Sequence, residues 1–173
     1  MDKKLWTESV HFVEIIDSTL FLETGGDKDG GYTCDPYDAG GATKWGISQK
    51  AFPNLNIKAL TKDQAKDIYF FHYYLPIYDQ IQSRLIAFKL FDMGVLMGRK
   101  TAVKLLQRTL KVQADGEFGP ITLSALNQMR EALFLNMYEN TLKQHINYLI
   151  AKRPTYRRFK RGWYNRIEFR PND

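Results

Sequence analysis

Glu23 is the residue whose type and position most favour chemistry in this sequence. An apolar stripe with the spacing of one helix face leads to it, made of Trp6, Val10, Val13, Ile16 and Leu20. Gly25 and Gly26 follow and can end the helix with a left-handed cap. Desolvation by the buried face and the negative end of the helix dipole would both favour the protonated carboxyl group. Such a group can protonate the leaving oxygen of a glycosidic bond, whereas a glutamate in solvent at a frayed helix end cannot.

A glycine-rich loop, residues 24–48, follows this carboxylate. It holds seven of the 12 glycines of the chain, and the aromatic residues Tyr32, Tyr37 and Trp45 alternate with them. This composition predicts a shaped loop that lets a substrate approach the backbone, with Tyr32 and Trp45 as substrate contacts. Residues 32–34 and 43–47 are candidates for a small hairpin.

A second catalytic group is expected in the same loop. An inverting glycosidase needs a base or a water-positioning group, and a retaining one needs a nucleophile closer to the acid. The candidates are Asp35, Asp38 and Thr43. Each aspartate could instead serve only to form a turn, and Thr43 could hold a water molecule or cap the loop.

Metal sites are disfavoured, and no cofactor is expected. Residues 27–38 have some spacing of a calcium loop but lack its third acidic ligand and its central glycine. His11, His72 and His145 have no zinc-ligand spacing, and Cys34 is the only cysteine.

Beyond the loop the sequence predicts a mostly α-helical protein. A capping box at residues 61–64 begins a helix that runs to about His72. Further helices are predicted near residues 83–97, 101–110, 120–128 and 131–151, with Gly98, Pro120 and Pro154 marking ends and starts.

Charge and hydropathy restrict the partners. The net charge is +6, and residues 152–170 carry eight basic residues against Glu168 alone, so this segment should be attracted to an anionic surface. Nucleic acid, anionic lipid and acidic cell-wall polymer all fit, but no nucleic-acid recognition motif accompanies the charge. No segment is apolar enough for a membrane span or a signal peptide, so synthesis in the cytoplasm is expected.

Motifs along most of the chain resemble glycoside hydrolase family 108, the lysozyme-like N-acetylmuramidases found among phage endolysins and in bacterial genomes, some described as secretion-activating proteins. The matching motifs are Glu23, Gly30-Gly31-Tyr32, Asp35-Pro36, Gly40-Gly41-Ala42-Thr43, Gly46-Ile47, Leu60-Thr61, Ile68-Tyr69, Phe91-Asp92, Val95, Gly98, Leu106-Gln107, Asp115-Gly116, Phe118-Gly119-Pro120, Thr122, Gly162-Trp163 and Arg166. The chain departs from the family's pattern at two places. Six extra residues, 24–29, follow Glu23, and Leu96 stands where the family has asparagine.

The resemblance implies a lysozyme-like catalytic lobe at residues 1–98 and a helical, peptidoglycan-binding-like lobe at residues 99–173. It implies that Glu23 is the acid of a muramidase that cleaves the β-1,4 bond between N-acetylmuramic acid and N-acetylglucosamine in peptidoglycan glycan strands. Such a protein would act on the cell wall or in the periplasm after release or export. The alternative is a catalytically inactive peptidoglycan-binding or secretion-associated protein of the same fold. The turn at residues 115–120 resembles that of peptidoglycan-binding helical modules, and its other interpretation is a helix connector and nothing more.

Overall fold

The computed structural model describes residues 4–34 and 41–171 and is mostly α-helical, as the sequence predicts. The helices are α1 (Val10–Thr24), α2 (Lys62–Tyr73), α3 (Arg84–Met97), α4 (Arg99–Leu110), α5 (Pro120–Asn127), α6 (Glu131–Lys152) and α7 (Lys160–Glu168). Short 3-10 turns are found at Leu5–Glu8, Ile57–Ala59, Pro76–Gln80 and Pro154–Phe159. An antiparallel hairpin joins β1 (Thr43–Lys44) to β2 (Ile47–Ser48).

Contacts divide the chain into two compact units, and each has its own buried core. The first unit ends at Tyr74 and the second begins at Leu75. The division into lobes at residue 98 stays a prediction. None of the helices in the described ranges has the length and apolar character that crossing a membrane requires.

Helix α1 is rotated relative to the stripe predicted from the sequence. Val10 and Val13 are 64% and 38% exposed, so their placement on the buried face was wrong. The buried face instead consists of His11, Phe12, Ile15, Ile16, Thr19 and Leu20. The physical reason is that Trp6 belongs to a separate 3-10 turn, and the Ser9 hydroxyl accepts a hydrogen bond from the Phe12 amide to start a new helix.

The position of Glu23 survives this rotation. It lies four residues after Thr19 and seven after Ile16, both fully buried, so the buried face still leads to it. Gly25 ends the helix with φ 62°, and its amide donates to the Phe21 carbonyl, which confirms the left-handed cap.

Helix α2 packs against α1 in the first unit. The predicted capping box is present: the Thr61 hydroxyl accepts from the Gln64 amide, and the Gln64 side chain accepts from the Thr61 amide. Phe12 of α1 makes edge-on ring contacts with Phe70 and Tyr74, at centroid distances of 5.1 and 5.2 Å. This packing fixes the orientation of the α2 face that carries Tyr69.

Two charged residues of α3 are fully buried in the second unit. Asp92 receives two hydrogen bonds of 2.9 Å from Arg166 of α7, a bidentate ion pair between two motif residues 74 positions apart. The Lys89 ammonium donates to the Ile167 and Phe169 carbonyls, and burial lowers its pKa to about 8. These bonds fasten α7 to α3.

Candidate active site

Glu23 lies in the last turn of α1 and is half-buried. Its carboxylate is packed against the backbone of Gly46, in the turn between β1 and β2. A Cβ atom placed on Gly46 would lie 2.6 Å from Glu23 Oε2, 2.6 Å from the Tyr69 hydroxyl and 3.0 Å from Glu23 Cβ. Only glycine fits here, because φ of Gly46 is +74° and no space remains for a side chain. Gly46, Glu23 and Tyr69 therefore form one tightly packed group.

The turn at Trp45 and Gly46 is a two-residue hairpin turn with both φ angles positive, 55° and 74°. A positive φ is unfavourable for a residue as large as tryptophan. Two hydrogen bonds hold it: the Tyr69 hydroxyl donates to the Trp45 carbonyl at 2.9 Å, and the Trp45 amide donates to the Gly30 carbonyl at 2.7 Å. Backbone strain of this kind persists only where the surroundings enforce it, and it occurs often at active sites.

The Trp45 side chain is part of the floor of the loop. It is 6% exposed, and a Cβ atom on Gly30 would lie 2.4 Å from the indole ring. The indole Nε1 is buried and has no hydrogen-bond partner among the described residues. Trp45, predicted as a substrate contact, thus packs beneath the loop and supports the turn against Glu23.

Tyr73 extends the group around Glu23. Burial raises the pKa of Tyr73, and the negative charge of Glu23 raises it further, so the phenol stays protonated at neutral pH. Its ring lies 5.7 Å from that of Tyr69, one helical turn earlier in α2.

The remaining predicted site residues lie along the same loop. Thr43 in β1 exchanges two backbone hydrogen bonds with Thr33, of 2.8 and 2.9 Å, so the 32–34 segment does pair with the hairpin. Tyr32 is 41% exposed, and a hydrogen bond with Cys34 raises the pKa of its phenol. Asp35 and Asp38 lie outside the described residues, so their assignment as the second catalytic group stays a prediction.

A cavity of about 230 Å³ lies beside the C-terminal half of α1, against the residues inserted after Glu23. Its lining residues are Asp17, Leu20, Phe21, Thr24, Gly26, Asp27, Lys28, Trp45 and Lys62. Among the residues described, no group of three histidine, cysteine or acidic side chains could hold a metal ion.

Three residues of this site, Gly46, Tyr69 and Tyr73, were not predicted as site residues. Gly46 and Tyr69 lie within the motifs that resemble the family, and the four-residue spacing of Tyr69 and Tyr73 places both on one face of α2. That spacing was the available signal, but which face of α2 meets the hairpin depends on packing far along the chain.

In the second unit, the Gln107 side chain of α4 holds the turn at residues 115–120 by hydrogen bonds. The Gln107 side-chain amide donates to Asp115 Oδ1, to the Glu117 carbonyl and to the Thr122 hydroxyl, at 2.7 to 3.1 Å. Its oxygen accepts from the Gly116 amide at 2.8 Å. These bonds join the turn to α4 and α5, which favours its role as a helix connector.

Comparisons with known proteins find a family match for each of two parts of the chain. Residues 26–98 match the family model described as glycosyl hydrolase 108, which begins three residues after Glu23, and residues 101–168 match the predicted peptidoglycan domain. Eleven chains of solved structures are similar. One is the structure of Brucella abortus SagA, which is 27% identical, with a TM-score of 0.67 over 90% of this chain and 88% of that one. No curated protein matches. Residues 26–98 of this chain therefore belong to the glycosyl hydrolase 108 family, and residues 101–168 belong to the predicted peptidoglycan domain family.

Proposed function

We propose that this protein is an N-acetylmuramidase that cleaves the β-1,4 bond between N-acetylmuramic acid and N-acetylglucosamine, with Glu23 as the general acid. The two families support a peptidoglycan-related hydrolase or binding role. The observation that supports the muramidase activity and its acid is the environment of Glu23. This residue is half-buried at a helix end and packed against the strained turn at Gly46. A carboxyl group fixed in this way is pre-organised to donate a proton to a leaving oxygen.

The glycine-rich loop would line the sugar cleft. Tyr32 is exposed there and can contact substrate, while Trp45 and Tyr69 hold the loop in place. Asp35, Asp38 and Thr43 remain the candidates for the base, nucleophile or water-positioning group. The protein would reach its substrate in the cell wall or periplasm after release or export.

An inactive peptidoglycan-binding protein is the second candidate. Two observations favour it: six residues separate Glu23 from the Gly30–Tyr32 motif, and the family match begins after Glu23. Such a protein would keep the binding role of the second unit and release no sugar ends.

Analysis of the new reducing ends tests the proposal. Purified protein would be incubated with peptidoglycan, and the products reduced with borohydride and separated. The muramidase proposal expects N-acetylmuramitol as the new alditol. N-acetylglucosaminitol would show cleavage of the other glycosidic bond, and the absence of both alditols would favour the inactive binding protein.

A further inference from the structure

The second unit contains an open groove of about 620 Å³ between α4 and α6. We call it the α4–α6 groove; its lining residues are Leu105, Arg108, Thr141, Gln144, His145 and Tyr148. The α6 members are spaced by three and four residues and therefore form one face of that helix. The groove lies within residues 101–168, the part of the chain that matches the peptidoglycan domain family.

Three polar side chains of this groove, those of Arg108, Gln144 and His145, are available to a ligand. Within the described part of the chain, the side chains of Arg108 and Gln144 have no hydrogen-bond or ion-pair partner. Burial and the positive charge of Arg108 lower the pKa of His145, so its imidazole is neutral at neutral pH and can both donate and accept a hydrogen bond. Groups of this kind, converging on an open concave surface, are typical of a binding site.

An aromatic platform lies at one end of the groove. Tyr148 is 57% exposed and stacks on His145, with a centroid distance of 6.3 Å and an interplanar angle of 26°. Lys152, one helical turn further along α6, lies 5.8 Å from the Tyr148 ring centre. An exposed flat ring offers an apolar face to the C–H groups of a sugar, and the nearby Lys152 favours a negatively charged sugar.

The charges distinguish this groove from another large cavity of the unit. That cavity, of about 560 Å³, is lined by two acidic residues, Glu131 and Glu139, and by two basic ones, Lys143 and Arg170, so its lining carries no net positive charge. The α4–α6 groove has no acidic lining residue. Lys152, beside Tyr148, is the first of six cations that have no carboxylate partner in the described ranges: Lys152, Arg153, Arg157, Arg158, Lys160 and Arg161.

We infer that the α4–α6 groove binds a carboxylate-bearing peptidoglycan strand, with Tyr148 stacked on a sugar ring and Arg108 paired with a carboxylate. This inference rests on the proposed peptidoglycan partner and assigns that partner to named residues. It does not depend on Glu23 or on the glycosidase reaction.

Co-sedimentation with insoluble polymers tests the groove. The full chain would carry Glu23→Gln so that the polymer stays intact, and it would be mixed with peptidoglycan or with chitin, which has a β-1,4 N-acetylhexosamine backbone without carboxylates. Binding to peptidoglycan and not to chitin is expected. In the same chain, Tyr148→Ala or Arg108→Glu should weaken peptidoglycan binding roughly tenfold or more, and Arg108→Lys should restore part of it.

Lys100→Ala is the matched control, since Lys100 is an exposed cation of α4 outside the groove, about 12 Å from Arg108 along the helix. All variants would first be checked for unchanged melting. Groove variants that sediment like the Lys100→Ala control would overturn the assignment of the groove as the binding site, and peptidoglycan would remain the proposed partner. Equal binding to chitin would overturn the pairing of Arg108 with a carboxylate. If the parent chain does not sediment with peptidoglycan, both the partner and the groove fail. If the parent chain binds peptidoglycan but the wild-type chain releases no reducing ends from it, only the glycosidase proposal fails.

Discussion

Substitution of Gly46 by alanine should separate the effect of displacing the Glu23 carboxylate, the proposed acid, from the effect of backbone strain alone. The new Cβ atom would lie 2.6 Å from Glu23 Oε2, whereas ordinary contact begins at 3.4 Å, so the carboxylate or the turn must move by about 0.8 Å. A misplacement of about 1 Å can cost roughly 100-fold in rate. We therefore expect Gly46→Ala to release reducing ends from peptidoglycan roughly 100-fold more slowly than wild type.

Gly25→Ala is the matched control. Gly25 has a similar φ of +62°, but no atom lies within 4 Å of the position its Cβ would take. Both variants incur a backbone cost of about 1 kcal/mol or more from the positive φ, and only Gly46→Ala adds the collision. Rates and melting temperatures would be measured for both. Equal loss of activity in the two variants, or a wild-type rate for Gly46→Ala, would refute the proposed packing of Gly46 on the acid.

Three further substitutions test contacts within each of the two units. Tyr69→Phe removes the hydrogen bond to the Trp45 carbonyl and should cost about 1–3 kcal/mol in the free energy of unfolding, measured in urea, together with a fall in kcat. Asp92→Asn leaves the half-buried Arg166 without its ion pair and should cost about 3–5 kcal/mol by the same measurement. Because burial lowers the pKa of Lys89 to about 8, the unfolded chain binds more protons between pH 8 and 10.5, so the wild type should gain stability relative to Lys89→Met over that range.

Each of these expectations has a contradicting result. Unchanged unfolding and kcat in Tyr69→Phe would show that its hydroxyl does not hold the turn. Glu168→Gln, which breaks the exposed pair with Lys143, is the control for Asp92→Asn and should change stability by less than about 1 kcal/mol. Equal effects would argue against a special role for the buried pair. A stability difference between wild type and Lys89→Met that stays constant from pH 8 to 10.5 would contradict the lowered pKa.

Local signals made most of the fold predictable from the sequence. The capping box at Thr61, Gly98 at the end of α3 and Pro120 at the start of α5 act within a few residues, so their effects can be read from neighbouring positions. The face of α1 was predicted less well, because Val10 and Val13 fit a helical stripe with Ile16 and Leu20, but Phe12 and Ile15 are buried in their place.

The candidate site was predictable only in part. Glu23 could be found because a helix end, an apolar face and glycines meet there. Its support depends on contacts that sequence spacing does not show: the Tyr69 hydroxyl bonds to a carbonyl 24 residues away, and Trp45 adopts a positive φ only because that bond and the Gly30 carbonyl hold it. Distant pairing of this kind follows from tertiary packing.

The release of new reducing ends from peptidoglycan by wild type and by Glu23→Gln is the most direct test of the central claim. Glutamine keeps the shape of the side chain and cannot donate the proton, so the rate should fall by roughly 100-fold to 10,000-fold, while the melting temperature should not fall. Glu117→Gln, a substitution of the next glutamate along the chain, serves as the control and should behave like wild type. A Glu23→Gln protein that releases reducing ends as fast as wild type, or a wild type that releases none, would contradict the assignment of Glu23 as the catalytic acid.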